Sequence, residues 1–245
     1  MRSSPLYNMA RAASFRHNVL DGGSPSLAPF PTLAQAIRAS PDARHIAGSL
    51  GEWLALSLIA LAAPLCLATD LLALGRTVAE DSLTEFLQSG LLLATALSFA
   101  RAAGYRPESR GFLVLAAGFF GCLFIREMDG FLDLVHHGFW IWPATFVALA
   151  AATVAARFGH DTLLSPMAHF LQTGPGHLIG IGLILVLVFS RVFGSGTLWQ
   201  PLLGEPATAL KNSLQEGLEL FGYAWIAWGT HRYLQTPAPC QMLKM

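Results

Sequence analysis

The stretch FIREMDGFLD, residues 124–133, sets Arg126, Glu127, Asp129 and Asp133 directly after a run of fifteen uncharged residues, 111–125. Only 12% of the 245 residues are charged and 53% are hydrophobic, against about 25% charged in an ordinary soluble domain. Charge falls in short clusters between apolar runs of helical length, the pattern required where each segment must satisfy its own backbone hydrogen bonds in hydrocarbon. Strand-like alternation is absent. The expected fold is therefore an all-α integral membrane protein.

Apolar runs place transmembrane helices near 53–74, 83–100, 111–129, 138–156, 175–193 and 213–232, each close to the ~20 residues that cross ~30 Å of hydrocarbon. The expected organisation is a cytoplasmic tail over 1–50, flexible or partly amphipathic around 32–39, a six-span bundle over 51–234 and a short C-terminal tail over 235–245. The tail lacks a continuous apolar h-region, which argues against a cleaved signal peptide. Pro64 is expected to kink the first span, whereas Pro143 suits the first turn of the fourth.

Orientation follows from the cations. With the N-terminus inside, eleven of the fifteen Lys and Arg residues fall on one side, and only Arg76, Arg126, Arg191 and Lys211 on the other. Ten of the fifteen acids share that second side. An N-in, C-in topology in a bacterial cell inner membrane is the expectation, with the acid-rich side periplasmic. The formal net charge is zero, and the basic residues follow membrane orientation, so nucleic-acid binding is not expected. Cys66, Cys122 and Cys240 form no CxxC pair, which excludes a zinc-finger spacing and a disulfide scaffold.

Helix length decides where the clustered charges lie. Residues 111–125 span roughly 22 Å and cannot cross alone, so Arg126, Glu127 and Asp129 complete the third span. The second span repeats this with residues 86–100, which brings Glu85 to the hydrocarbon edge. In the sixth, the uncharged stretch 220–230 covers only about 16 Å, so Glu216 and Glu219 belong to the span. Glu85, Arg126 and Glu216 each lie sixteen residues from an inner arginine, Arg101, Arg110 and Arg232, hence at one level about 24 Å up. Arg191 reaches a similar height. Charges at that depth are expected to face one another or a water-filled cavity rather than lipid. Within helices, Glu85 and Gln88, and Glu216, Glu219 and Tyr223, are spaced to share a face.

Three functions fit this layer. In the first, Glu85, Gln88, Arg126, Glu127, Asp129, Arg191, Lys211, Glu216, Glu219 and Tyr223 bind or move a cation, a proton or a small polar ligand. In the second, a membrane-embedded enzyme acts on a lipid or lipid-linked substrate; Glu85, Glu127, Asp133, His136, Glu216 and Glu219 are its candidate ligands for a divalent metal, while an arginine holds the substrate's anion. HExxH, GxSxG, the P-loop and GxGxxG are absent, so no motif selects a reaction. In the third, the charges form only an ion-pair network in a structural or assembly subunit. Membrane lipids are the expected surroundings, and the small-residue faces at 148–156 and at Gly176 and Gly180 are candidate surfaces for a homo-oligomer.

Overall fold

The computed structural model describes residues 41–70, 82–158, 160–203 and 207–236. The expected amphipathic piece at 32–39, the end of the first span at 74, Arg76 and most of the C-terminal tail lie outside them. Contacts divide the chain into two units, Met1–Trp53 and Leu54–Met245. All regular structure among the described residues is helical.

The main helices are α1 (Pro41–Ala68), α2 (Leu83–Tyr105), α3 (Arg110–Glu127), a short α4 (Asp129–Leu132), α5 (Ile141–Arg157), α6 (Leu164–Leu171), α7 (Gly174–Ile184), α8 (Ser190–Phe193), α9 (Gly196–Leu203) and α10 (Ala207–Gln235). Helix α1 starts earlier than the expected span, because Pro41 opens it and Asp42 lies in its first turn, both favourable at a helix N-terminus. Pro143 does occupy the first turn of α5. Among the described residues, four helices are long and apolar enough to cross a membrane: Asp42–Ala68, Leu83–Tyr105, Pro107–Glu127 and Gly174–Phe193. Helix α5 has only seventeen residues, and α10 is too polar in composition to qualify. Phe86, Phe146 and Leu149 are exposed large hydrophobics, as expected of side chains that meet lipid.

Helix α10 packs against α7 and α2, and α3 packs against α2 and α5. Helices α2 and α10 run parallel in a constant register: Gln88 bonds Glu216 at one end and Arg106 bonds the Leu234 carbonyl at the other, each pair 128 residues apart. The buried stripe of α2 is Gln88, Leu92, Thr95, Phe99 and Ala102; that of α10 is Glu219, Tyr223, Ile226, Thr230 and Tyr233. Steps of three and four residues keep both stripes on the shared seam. Polar positions lie at the start of each stripe, and aromatic packing closes its far end. There the Phe99 and Phe120 rings stack at 5.7 Å, and Phe170 meets Tyr233 edge-on at 5.0 Å.

Close backbone approach joins α7 to α10. A Cβ on Gly182 would lie 2.7 Å from the Gly222 carbonyl oxygen, and one on Gly222 would lie 2.6 Å from Val186 Cγ2. Only glycine permits this contact. Gly180, part of the expected small-residue face, has nothing within 4 Å of such a Cβ, so the packing glycines are one step away on the helix. In the 148–156 run, Ala151 is the residue that meets Gly118 of α3. Replacing Gly222 by leucine is expected to destabilise the protein by about 1–3 kcal/mol through overpacking, whereas Gly180→Ala stays within about 0.5 kcal/mol; unfolding of the detergent-solubilised variants measures both.

Candidate functional site

Four helix segments meet at one level: the start of α2, the end of α3, α8 and the N-terminal half of α10. Each is fixed by local chemistry. Ser82 caps α2 by accepting from Glu85 N at 3.2 Å. The buried Asp70 carboxylate reinforces that cap, accepting from Leu83 N and Thr84 N at 3.0 Å each and from Thr84 Oγ1 at 2.6 Å. An acid at a helix N-terminus satisfies orphan amides and favours the macrodipole. Helix α3 ends at Glu127 because Met128 leaves the helical backbone.

Three carboxylates define the layer. Glu219 is almost fully enclosed, with 2% of its side chain exposed. Its Oε1 has Ser190 Oγ at 2.9 Å, Gln215 Nε2 at 3.3 Å and Arg191 Nη2 at 3.5 Å. Ser190 Oγ also reaches the Val186 carbonyl; its one hydrogen serves one acceptor at a time. Glu216 Oε2 accepts from Gln88 Nε2 at 3.0 Å, and the same amide donates to the Glu216 carbonyl. Glu127, 8% exposed, accepts from Tyr223 OH at 2.9 Å and lies 3.4 Å from Arg126 Nη1. Glu127 and Glu216 both feel Glu219 and Arg126, and Glu216 also feels Arg191. The group thus behaves as one electrostatic unit of three acids and two arginines.

Helix α7 delivers Ser190 and Arg191 through an irregularity. Residues Leu185–Phe189 form a π-helical turn, which adds one residue per turn and re-aims the side chains C-terminal to it; such turns are frequent at functional sites. Neither Ser190 nor Gln215 stands out in the sequence, where a serine in an apolar run and an amide beside a glutamate carry no periodic signal. Asp70 was legible only as one more outer acid, because its partners lie thirteen and fourteen residues away.

Of the expected residues, Gln88, Arg126, Glu127, Arg191, Glu216, Glu219 and Tyr223 are brought together. Glu85, half-buried, lines a cleft of about 460 Å³ that also receives Glu127. Lys211 is half-buried and makes no ion pair with the three acids among the described contacts. Asp129 is exposed and lies apart, since the chain turns away at Met128. The proposed metal set is likewise divided. Asp133 and the exposed His136 belong to the turn after α4, where Asp133 binds Gly138 N and His137 Nδ1, each at 2.8 Å, and His136 Nδ1 contacts the His137 carbonyl. Gly138 takes a positive φ of 80° that closes this turn. Among the described residues, no three His, Cys, Asp or Glu side chains converge in a group suited to a metal ion.

No family model, no curated protein and no solved structure matches the chain.

Replacing Ser190 by alanine together with Arg191 by glutamine leaves Glu219 buried without these two partners. The double replacement is expected to cost about 3 kcal/mol in the wild-type background, and far less with Glu219→Leu, in a double-mutant cycle of unfolding measurements. Outside the spans, the Gly138 amide, followed by His137, holds the Asp133 carboxyl below its usual 3.8. A depressed acid contributes stability that is complete above its unfolded value and lost as pH falls through its folded value. The turn is therefore expected to be intact at neutral pH and to open only below about pH 4, read as faster hydrogen exchange at the Gly138 amide.

Proposed function

We propose that the chain crosses a bacterial inner membrane six times, with both termini cytoplasmic, and that it binds or moves a proton or small cation at the outer carboxylate–arginine layer. The six-span reading rests on length: α5 rises about 26 Å, and α10 about 44 Å. Of the four charges on α10, Glu216 and Glu219 are turned onto α2 and α8 rather than outward. Orientation rests on the eleven-to-four cation count.

One observation carries the function: three buried or half-buried acids, Glu127, Glu216 and Glu219, stand against two bases, the half-buried Arg126 and the exposed Arg191. A net negative charge in a region of low dielectric demands a proton or a bound cation. The arrangement suits exchange. Tyr223 OH bonds Glu127 on the same α10 stripe that carries Glu216 and Glu219, so a proton or cation at one acid alters its occupancy at the others.

The test is proton movement in proteoliposomes that enclose a pH-sensitive dye, driven by gradients of sodium, potassium, magnesium or tetramethylammonium. At least one gradient is expected to move protons through the wild-type protein; Glu219→Gln stops this, and Asp129→Asn, outside the layer, preserves it. A wild-type protein that moves no protons under any of the four gradients would reduce the layer to an ion-pair network.

A further inference from the structure

Helix α1 meets the rest of the bundle along a narrow ridge. Ala63 is its one buried apolar residue among those described, and a crevice lies on each side of it: a smaller one against Gly217 and Phe221, and a larger one of about 450 Å³ shared with α2 and α10. In the larger crevice, Ala62 and Cys66 of α1 stand with Leu87 and Leu91 of α2 and Leu220 and Ala224 of α10. Ala62 is exposed, so the crevice opens sideways beside α1. Its polar groups gather at one end, where Trp228 and the exposed His231 complete the lining. The Trp228 and His231 rings lie 5.8 Å apart, and the enclosed Trp228 Nε1 has no hydrogen-bond partner. Arg101, also exposed, stands close to four whole turns after Leu87 on the same stripe of α2. The parallel register of α2 and α10 sets Arg101 level with Gly229, hence at the height of Trp228 and His231.

Shape and polarity select a chemical class. From Leu220 to His231 the crevice follows α10 for about 16 Å, half of a ~30 Å hydrocarbon core, which is the reach of one acyl chain in one leaflet. A polar solute would lose its hydration against walls that return no hydrogen bond. A wholly apolar molecule would leave the Trp228 N–H without an acceptor, and a buried indole N–H ordinarily finds one. An amphiphile matches both ends: its chain meets the alanines and leucines, and its oxygens meet the indole. The cation at that end makes the matching head an anion, since Arg101 binds phosphate through charge-assisted hydrogen bonds. We infer that this crevice holds one acyl chain of an anionic phospholipid, with the phosphate and ester oxygens at Arg101, Trp228 and His231. The inference shares with the proposed function only the placing of α1, α2 and α10 in a membrane; none of its residues belongs to the carboxylate layer.

Native mass spectrometry of the full chain in dodecyl maltoside tests this, with dioleoyl phosphatidylglycerol as probe and dioleoyl phosphatidylcholine, which has the same chains, as comparison. Saturable binding of one phosphatidylglycerol is expected, with phosphatidylcholine about fivefold weaker. Arg101→Gln, at an exposed position that spares folding, is expected to erase the difference between the two lipids. Trp228→Phe keeps the ring and removes only the N–H donor, and is expected to weaken binding about two- to tenfold. Ala224→Phe fills the crevice and is expected to remove the bound lipid. Arg157→Gln, an exposed arginine on α5, is expected to leave affinity within about twofold. Absence of saturable binding, phosphatidylcholine bound as tightly as phosphatidylglycerol, affinity unchanged in both Trp228→Phe and Ala224→Phe, or a lipid-free dimer in place of the complex would overturn the inference. Lipid binding without proton movement in proteoliposomes retains the crevice site and removes the exchange function; proton movement without lipid binding does the reverse.

Discussion

The structure depends on keeping a carboxylate enclosed among its helices. Glu219 is enclosed, and an enclosed acid without partners is far costlier than any single packing contact. Its partners come from two elements: Ser190 and Arg191 on α8, and Gln215 one turn back on α10. Satisfying it fixes the rotation of α8, and the π-helical turn before Ser190 is the local deformation that achieves this. The neighbouring pairs, Gln88 with Glu216 and Tyr223 with Glu127, then tie α2 and α3 to the same face of α10. Helix α10 is thereby placed in the middle of the bundle despite being the most polar of the long helices.

The grouping of these residues was expected from lengths. Uncharged runs too short to cross were expected to draw Arg126, Glu127, Glu216 and Glu219 into spans, with Glu85, Arg126 and Glu216 each sixteen residues from an arginine at the opposite end of the helix. Rotation about each axis was legible only where polar residues recur at three or four. That spacing placed Glu216, Glu219 and Tyr223 on one stripe. It gave no guide at Asp129, where the helix ends two residues earlier than the expected boundary, nor at Asp133 and His136, whose turn is set by Gly138 rather than by helical continuation.

The features hidden from the sequence are of one kind: they depend on a neighbouring element. The step from Gly180 to Gly182 as the packing glycine depends on which side of α7 meets α10. Ser190 acquires meaning only after the π-helical turn aims it. The parallel register of α2 against α10 requires partners 128 residues apart, which no local pattern encodes. Periodicity reports that a helix has two faces; it does not report what each face touches.

The seam between α2 and α10 also bears on why the acids are there. Farther along, Leu92, Thr95, Phe99, Ile226 and Thr230 bury the same stripe with uncharged side chains alone, so this pair of helices needs no charge to pack. Buried ion pairs are commonly replaceable by hydrophobic residues without loss of stability. A chain that has used the apolar solution for one half of a seam, and three acids with two arginines for the other, bears a desolvation cost that architecture does not require. The location of that cost, beside a cleft that Glu127 also lines and away from the Phe99–Phe120 stack, supports the proposed exchange. On that proposal, any route across a membrane has to pass the aromatic packing around Phe170 and Tyr233, which makes that packing, rather than the charged layer, the barrier a transport cycle must open.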